Sequence, residues 1–201
     1  MRRMSEDSSQ HPVKEVALIG THHTYQYGVG SSYSGGCTAD DEVAFRKLVR
    51  SSAVSLGVNA LAEELNEDGL KQFGVKRSVL QQEAALLDLQ HCFCEPGLAE
   101  RDSLGVQDVN LLKSKAWLGN WPDAQLEQVI RNEFWKRETF WLERIEHFNC
   151  WPLLFVCGAD HVGTFPALLR QHGVLVTVLE TCWEAGQIGR ASCRERVLWY
   201  V

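Results

Sequence analysis

The chain has 201 residues, of which 45% are apolar and 23% charged, with 20 Lys and Arg against 26 Asp and Glu and a formal net charge of -6. This is the composition of an ordinary globular domain, which excludes collagen-like, coiled-coil and disordered classes, and the length suffices for a core without metal or disulfide staples. Net acidity gives no electrostatic footprint for nucleic acid or an anionic membrane, and no run reaches the roughly 20 apolar residues of a bilayer span.

Residues 1–14 are polar and read as a flexible arm. The basic start Met1-Arg2-Arg3 runs into acidic and polar residues where a signal peptide would turn apolar, so a cytoplasmic protein is expected. The seven cysteines are odd in number and several lie in apolar runs, which suits reduced thiols. Val16 to Gly20 is a short apolar run ending in glycine, the pattern of a buried parallel strand. A Gly/Ser/Tyr-rich loop follows from Thr24 to Cys37. Thr38-Ala39-Asp40-Asp41-Glu42 is a capped, acidic helix start, and the helix is expected to reach Leu56 with Val43, Leu48, Val49 and Ala53 on its buried face. Val58 to Ala62 reads as a second strand leading into Glu63-Glu64.

A second helix is expected over residues 78–89, with Val79, Leu80, Ala84, Leu86 and Leu87 inward. His91 to Pro96 reads as irregular or briefly extended, and residues 97–121 as loop-rich. Pro122-Asp123 opens a long helix to about Asn149, its buried face supplied by Leu126, Val129, Ile130, Phe134, Trp141, Leu142 and Ile145. Leu153 to Gly158 is the clearest strand. A helix from Val162 to Gln171 and a strand from Val174 to Leu179 complete the pattern. Alternating short strands and helices predict one α/β domain over residues 15–185 with a mainly parallel sheet. Residues 186–201 switch to a basic stretch without periodicity. Ile188 to Val197 resembles translated sequencing-adapter read-through, which would make the tail non-native and end the natural chain near Glu184.

Two strands end in the same grammar, Gly20-Thr21-His22-His23 and Gly158-Ala159-Asp160-His161. The carboxyl ends of parallel strands share one edge, where open α/β folds hold ligands. Glycine is expected to let the chain turn there, so that the histidine three residues on points into the crevice. Glu63-Glu64 ends another strand at the same edge. Imidazoles and carboxylates gathered there have two uses. They can hold a divalent transition metal that activates water, or a histidine with a carboxylate partner can act as a metal-free general base. In the first, His23, His161 and Glu63 or Glu64, with Glu64 preferred, are the ligands. His161 is expected to be an exposed ligand or base at a helix start, with Asp160 capping that helix.

The arrangement resembles the TIKI, TraB, ChaN and erythromycin-esterase superfamily, which carries two Gly-x-x-His motifs, an intervening glutamate pair and an arginine before the second motif. Gly20 to His23 matches the first motif, Ala62-Glu63-Glu64-Leu65 the glutamate pair, and Leu153 to Val162 the second motif with its strand. Arg137, in the Arg137 to Ile145 segment, stands as the family arginine, with Arg131 as the fallback. The resemblance spans most of residues 15–181 and implies a hydrolase acting on a small molecule or peptide, with His23, Glu63, Glu64, Arg137 and His161 as its site. Family members include metal-dependent peptidases, a metal-independent esterase and a haem-binding lipoprotein, so a divalent metal remains one option and a non-catalytic haem or small-ligand domain another. For that last reading Tyr25, Tyr27, His22, His23 and His91 could supply contacts. A pure interaction domain, with dispensable histidines, is a third.

His91-Cys92-Phe93-Cys94 lacks the second half of a zinc site, and His91 is better read as a pocket residue. The loop from Tyr25 to Tyr33 reads as a substrate-facing lid and does not match a P-loop. Trp117, Trp121, Trp135, Trp141 and Trp151 read as core or helix-docking aromatics rather than a base-stacking platform.

Overall fold

A computed structural model describes residues 13–33 and 36–186. Most of the arm expected over residues 1–14, and the basic tail beyond residue 186, lie outside the described residues. In chain order the elements are β1 (Glu15–Thr21), α1 (His23–Tyr27), α2 (Ala39–Leu56), β2 (Ala60–Glu63), α3 (Glu67–Gln72), α4 (Val79–Leu86), β3 (Gln90–Phe93), α5 (Leu98–Leu104), α6 (Val109–Gly119), α7 (Asp123–Phe148), β4 (Leu153–Gly158), a 3-10 turn (Ala159–His161), α8 (Phe165–Gln171) and β5 (Leu175–Trp183).

The five strands form one all-parallel sheet in the order β3-β2-β4-β1-β5, the α/β architecture expected. Parallel strands buried on both faces carry continuous apolar runs, and β4 and β2 are buried along their whole length. Alternation still sorts the residues by face. Val16, Leu18, Ala62, Phe155 and Cys157 meet Trp141, Leu142 and Ile145 of α7 and Phe165 and Leu169 of α8. Ala17, Ile19, Leu61, Leu154 and Val156 meet Phe45, Val49 and Ala53 of α2 and Val79, Leu80 and Ala84 of α4. The edge strands β3 and β5 are half-exposed.

Local signals set several boundaries. Thr38 caps α2 in a reciprocal box with Asp41, and Gly57 ends it in the left-handed region at φ 59°. Other expectations are corrected. Val43 and Leu86 are exposed, and Phe45 takes the inward place on α2. Of the two readings of the segment at His91 the extended one holds, as a strand paired with β2, whereas residues 97–121, read as loop-rich, hold two helices. Gly97, Gly105 and Asn120 bound short helices there, α5 burying no residue and α6 only Leu112 and Ala116, so periodicity was too weak to register. The first half of α7 carries Leu126, Val129 and Ile130 only partly buried, and Trp117 and Trp135 are exposed while Trp141 and Trp151 are core. Strand β5 runs four residues past Leu179, and α8 begins at Phe165 rather than Val162. No helix among the described residues is long and apolar enough to cross a membrane.

Candidate active site

Strand register brings the two glycine–histidine motifs to one edge. Thr21 of β1 lies opposite Gly158 of β4, and Glu63 of β2 opposite Val156. Neither Gly20 nor Gly158 has a positive φ, so the glycines do not serve a sharp turn as the sequence suggested. They serve close approach. A Cβ at Gly20 would collide with the Thr181 carbonyl and Val162, and one at Gly158 would lie 3.1 Å from His23 Nε2 and 3.3 Å from Glu64 Oε2.

Glu63 and Glu64 project to different places. Glu64 is buried and accepts the Gly158 N–H at 2.6 Å. Its Oε1 meets Arg137 Nη2 and lies 3.5 Å from both His23 Nε2 and His161 Nε2. Burial alone would raise this carboxyl, but the electrostatic pull of His161, Arg137 and His23, with the Gly158 N–H, outweighs it and holds Glu64 at about 2. Glu63 does not line the cavity. It accepts from Ser78 Oγ, lies 2.8 Å from His91 Nε2, and takes a long contact at 3.5 Å from Gln26 Nε2. It supports the site from behind, and His91 serves it rather than the pocket.

Hydrogen-bond partners assign both histidine tautomers. The Gln26 amide nitrogen faces the acceptors Glu63 Oε2 and Val156 O, so its oxygen faces His23 and takes the Nδ1–H at 2.8 Å. His23 Nε2 therefore presents a lone pair. His161 Nδ1 donates to Glu138 Oε1 at 2.7 Å, and its Nε2 accepts from Arg137 Nη1 at 3.2 Å. Thr164 Oγ1 donates to the same Glu138 oxygen. His161 is not the exposed residue expected. It is buried in the 3-10 turn against Phe134 and Trp141, and Asp160 is exposed within that turn, not at the N-cap of α8, which is Thr164.

Arg137 is the hub. Its Nε donates to both oxygens of Glu95, its Nη2 to Glu64 and Glu95, and its Nη1 to His161. Burial opposes its charge, but the Glu64 and Glu95 carboxylates overcome that and push its pKa up. Four of its five N–H groups are thus engaged, and one Nη1 donor remains. Glu95 also accepts from Arg101 and Trp141. Arg131 pairs with Glu127 on the exposed face of α7 and is remote from these contacts.

His23, Glu64, Arg137 and His161 line a cavity of about 470 Å³, in the range of small-ligand sites. One wall is aromatic, built by Tyr27, Tyr33 and Phe73 in mutual contact. Burial pushes the Tyr27 and Tyr33 phenols up, so both remain proton donors. No serine, threonine or cysteine is among the described residues lining it. Cys157, just behind, has its thiol pushed up by burial, with Glu64 and Glu138 adding to the effect. Of the residues considered for haem, Tyr27 and His23 line the cavity, whereas Tyr25, His22 and His91 do not.

The metal set His23, Glu64 and His161 does not fit this arrangement. Arg137 holds Glu64 Oε1 and the His161 Nε2 lone pair, the atoms an ion would need. A guanidinium stands where a cation would sit. Sequence reasoning missed Gln26, Glu95 and Glu138. Glu138 was findable, because it shares the inward stripe of Trp141, Leu142 and Ile145 at helical spacing. Glu95 lies just past the end of β3, as Glu64 lies past β2.

No family model matches the chain, and no curated protein or solved structure matches it.

Two outcomes are expected from this geometry. A carboxyl depressed on folding stabilises only while ionised. Glu64 should therefore contribute fully above its ordinary 4.5 and lose that contribution as pH falls toward about 2. The loss is on the order of 2–3 kcal/mol, and Glu64→Gln should flatten the pH dependence of denaturant melts across that window. His161→Ala should destabilise by about 2–4 kcal/mol, from the void left among aromatics and the loss of one of the two donors to Glu138. A melt close to that of the unaltered protein would mean that the aromatic packing around His161 is energetically idle.

Proposed function

We propose that the protein is a hydrolase of the TIKI, TraB and erythromycin-esterase type that activates water with His23 and needs no metal at His23, Glu64 and His161. The observation that carries this reading is the engagement of Arg137 with Glu64, Glu95 and His161, beside a His23 whose Nε2 lone pair is uncommitted. The absence of a serine, threonine or cysteine among the described lining residues favours direct attack by water.

In this mechanism His23 Nε2 takes a proton from a cavity water, and the oxygen attacks a carbonyl carbon. Glu64, 3.5 Å away, attracts the charge that forms on the ring. The remaining Arg137 N–H donates to the developing oxyanion. His23 then returns its proton to the leaving oxygen or nitrogen. A single free N–H cannot clamp a carboxylate in bidentate fashion, so Arg137 suits the carbonyl oxygen of a small ester, lactone or amide, or of a peptide bond. The aromatic wall suits an apolar or ring-bearing group next to that carbonyl.

The test is turnover of a panel of neutral esters, lactones and acyl amides by purified protein, with and without chelator. Hydrolysis indifferent to chelator is expected. Activity abolished by chelation and restored by a divalent ion would transfer the chemistry to a metal. A Soret band on haem titration, lost in His23→Ala and without any turnover, would favour the ligand-binding reading.

A further inference from the structure

Outside the cavity, a second cluster joins the two ends of the sheet's last strand pair. His22, Cys182 and Glu184 place an imidazole nitrogen, a thiol sulfur and a carboxylate oxygen within 4.8 Å of one another, the one such trio among the described residues. We propose that these three residues form a binding site for a zinc-class transition-metal ion that clamps the end of β5 to the end of β1. The site is separate from the hydrolase reading, since none of the three lines the cavity.

Backbone geometry builds it. Trp183 turns its ring onto Tyr25 and Phe45, with centroids at 4.9 and 5.2 Å. Its neighbours Cys182, in β5, and Glu184, just past its end, come together beside His22. Thr21 Oγ1 donates to the Trp183 carbonyl at 3.0 Å and locks that register against β1. His22, next in sequence, has an extended backbone at φ -84° and ψ 139°, and its Nε2 is already 3.3 Å from Glu184 Oε1. Metal–ligand lengths of about 2.0–2.3 Å in a tetrahedron separate donor atoms by roughly 3.3–3.8 Å, so closing on an ion needs only side-chain adjustment.

The donor set selects the ion. A thiolate with an imidazole disfavours Mg²⁺ and Ca²⁺ and suits Zn²⁺ or Co²⁺. Three protein ligands leave a fourth position, and the His22 side chain is 59% exposed, so water can fill that position and the ion can reach the site. Metal here would tie the Gly20 to His23 segment, which also carries His23, to the last strand.

The experiment is titration of metal-free full-length chain with Co²⁺, read by absorption. A thiolate-to-cobalt charge-transfer band with intensified tetrahedral d–d bands is expected at one equivalent, displaced by Zn²⁺. Cys182→Ser should abolish the charge-transfer band. His22→Ala and Glu184→Gln should each weaken binding by at least about tenfold, the loss typical even of groups one layer beyond the ligands. His23→Ala should leave the spectrum intact, which separates this site from any ion in the cavity. Far-ultraviolet dichroism checks that each variant is folded. No thiolate band, or a band that survives Cys182→Ser, would overturn the proposal. So would one lost in His23→Ala and kept in His22→Ala.

Discussion

Arg137→Met is expected to lower stability by about 3–5 kcal/mol and to abolish turnover. The methionine fills much of the same volume, so the effect isolates charge. Glu64 and Glu95 are both buried, and Arg137 reaches both. Removing one partner from a buried ionic network leaves the others desolvated and unpaired, which costs about 3–5 kcal/mol. For a domain of this size that is roughly 6–20 °C of melting temperature. Arg101 remains on Glu95, so the deficit falls mainly on Glu64. Arg137→Met combined with Glu64→Gln should therefore recover part of the stability and none of the activity. Arg137→Lys should recover little of either, because a point charge cannot meet Glu64, Glu95 and His161 at once. Thermal melts of the four proteins decide the matter. An Arg137→Met variant as stable as the parent would show that the two carboxylates do not depend on this guanidinium.

His23→Ala should separate activity from stability. Loss of a positioned general base lowers the rate by about 10²–10⁴-fold. The side chain is partly exposed, with its Nε2 on the cavity and a single firm partner at Nδ1, Gln26. Gln26 keeps its contacts to Glu63 and Val156 when the ring is gone, so a stability change within about 0.5–1 kcal/mol is expected. The pairing with His161→Ala is informative. Two histidines in the same sequence motif should give opposite signatures, an activity loss with an intact melt for one and a melt lowered together with activity for the other. Equal melts for both variants would remove the division of labour argued from their burial.

That division was not legible in the motifs. Gly-x-x-His occurs twice with the same spacing after a buried strand, yet His23 opens a short helix facing the cavity while His161 is sealed by Phe134 and Trp141. The glutamate pair shows the same limit. Adjacent residues at a strand end point apart, so one carboxylate had to enter the cavity and the other to leave it, but choosing Glu64 required knowing which face of β2 meets α7. The helices of residues 97–121 were lost for a different reason. They bury almost nothing, and amphipathic periodicity is the record of burial.

What the sequence by itself determined was local. Continuous apolar runs made β1, β2 and β4 buried parallel strands, capping residues placed the start of α2, and glycine followed by histidine marked which strand ends bring histidines to the cavity. Each of these depends on residues within one or two turns of chain, where side-chain period and backbone preference act directly. Only the tertiary structure decided which charges meet. The strand order β3-β2-β4-β1-β5 inserts β4 between β2 and β1, and α7 crosses that seam to lay Arg137 on Glu64, 73 residues away in the chain. The same order sets β5 beside β1, so that His22 meets Glu184, 162 residues away. Contacts at such separation leave no periodic trace in sequence. They arise when crossover connections and burial on both sheet faces select one packing, and that packing put a guanidinium against Glu64 and His161.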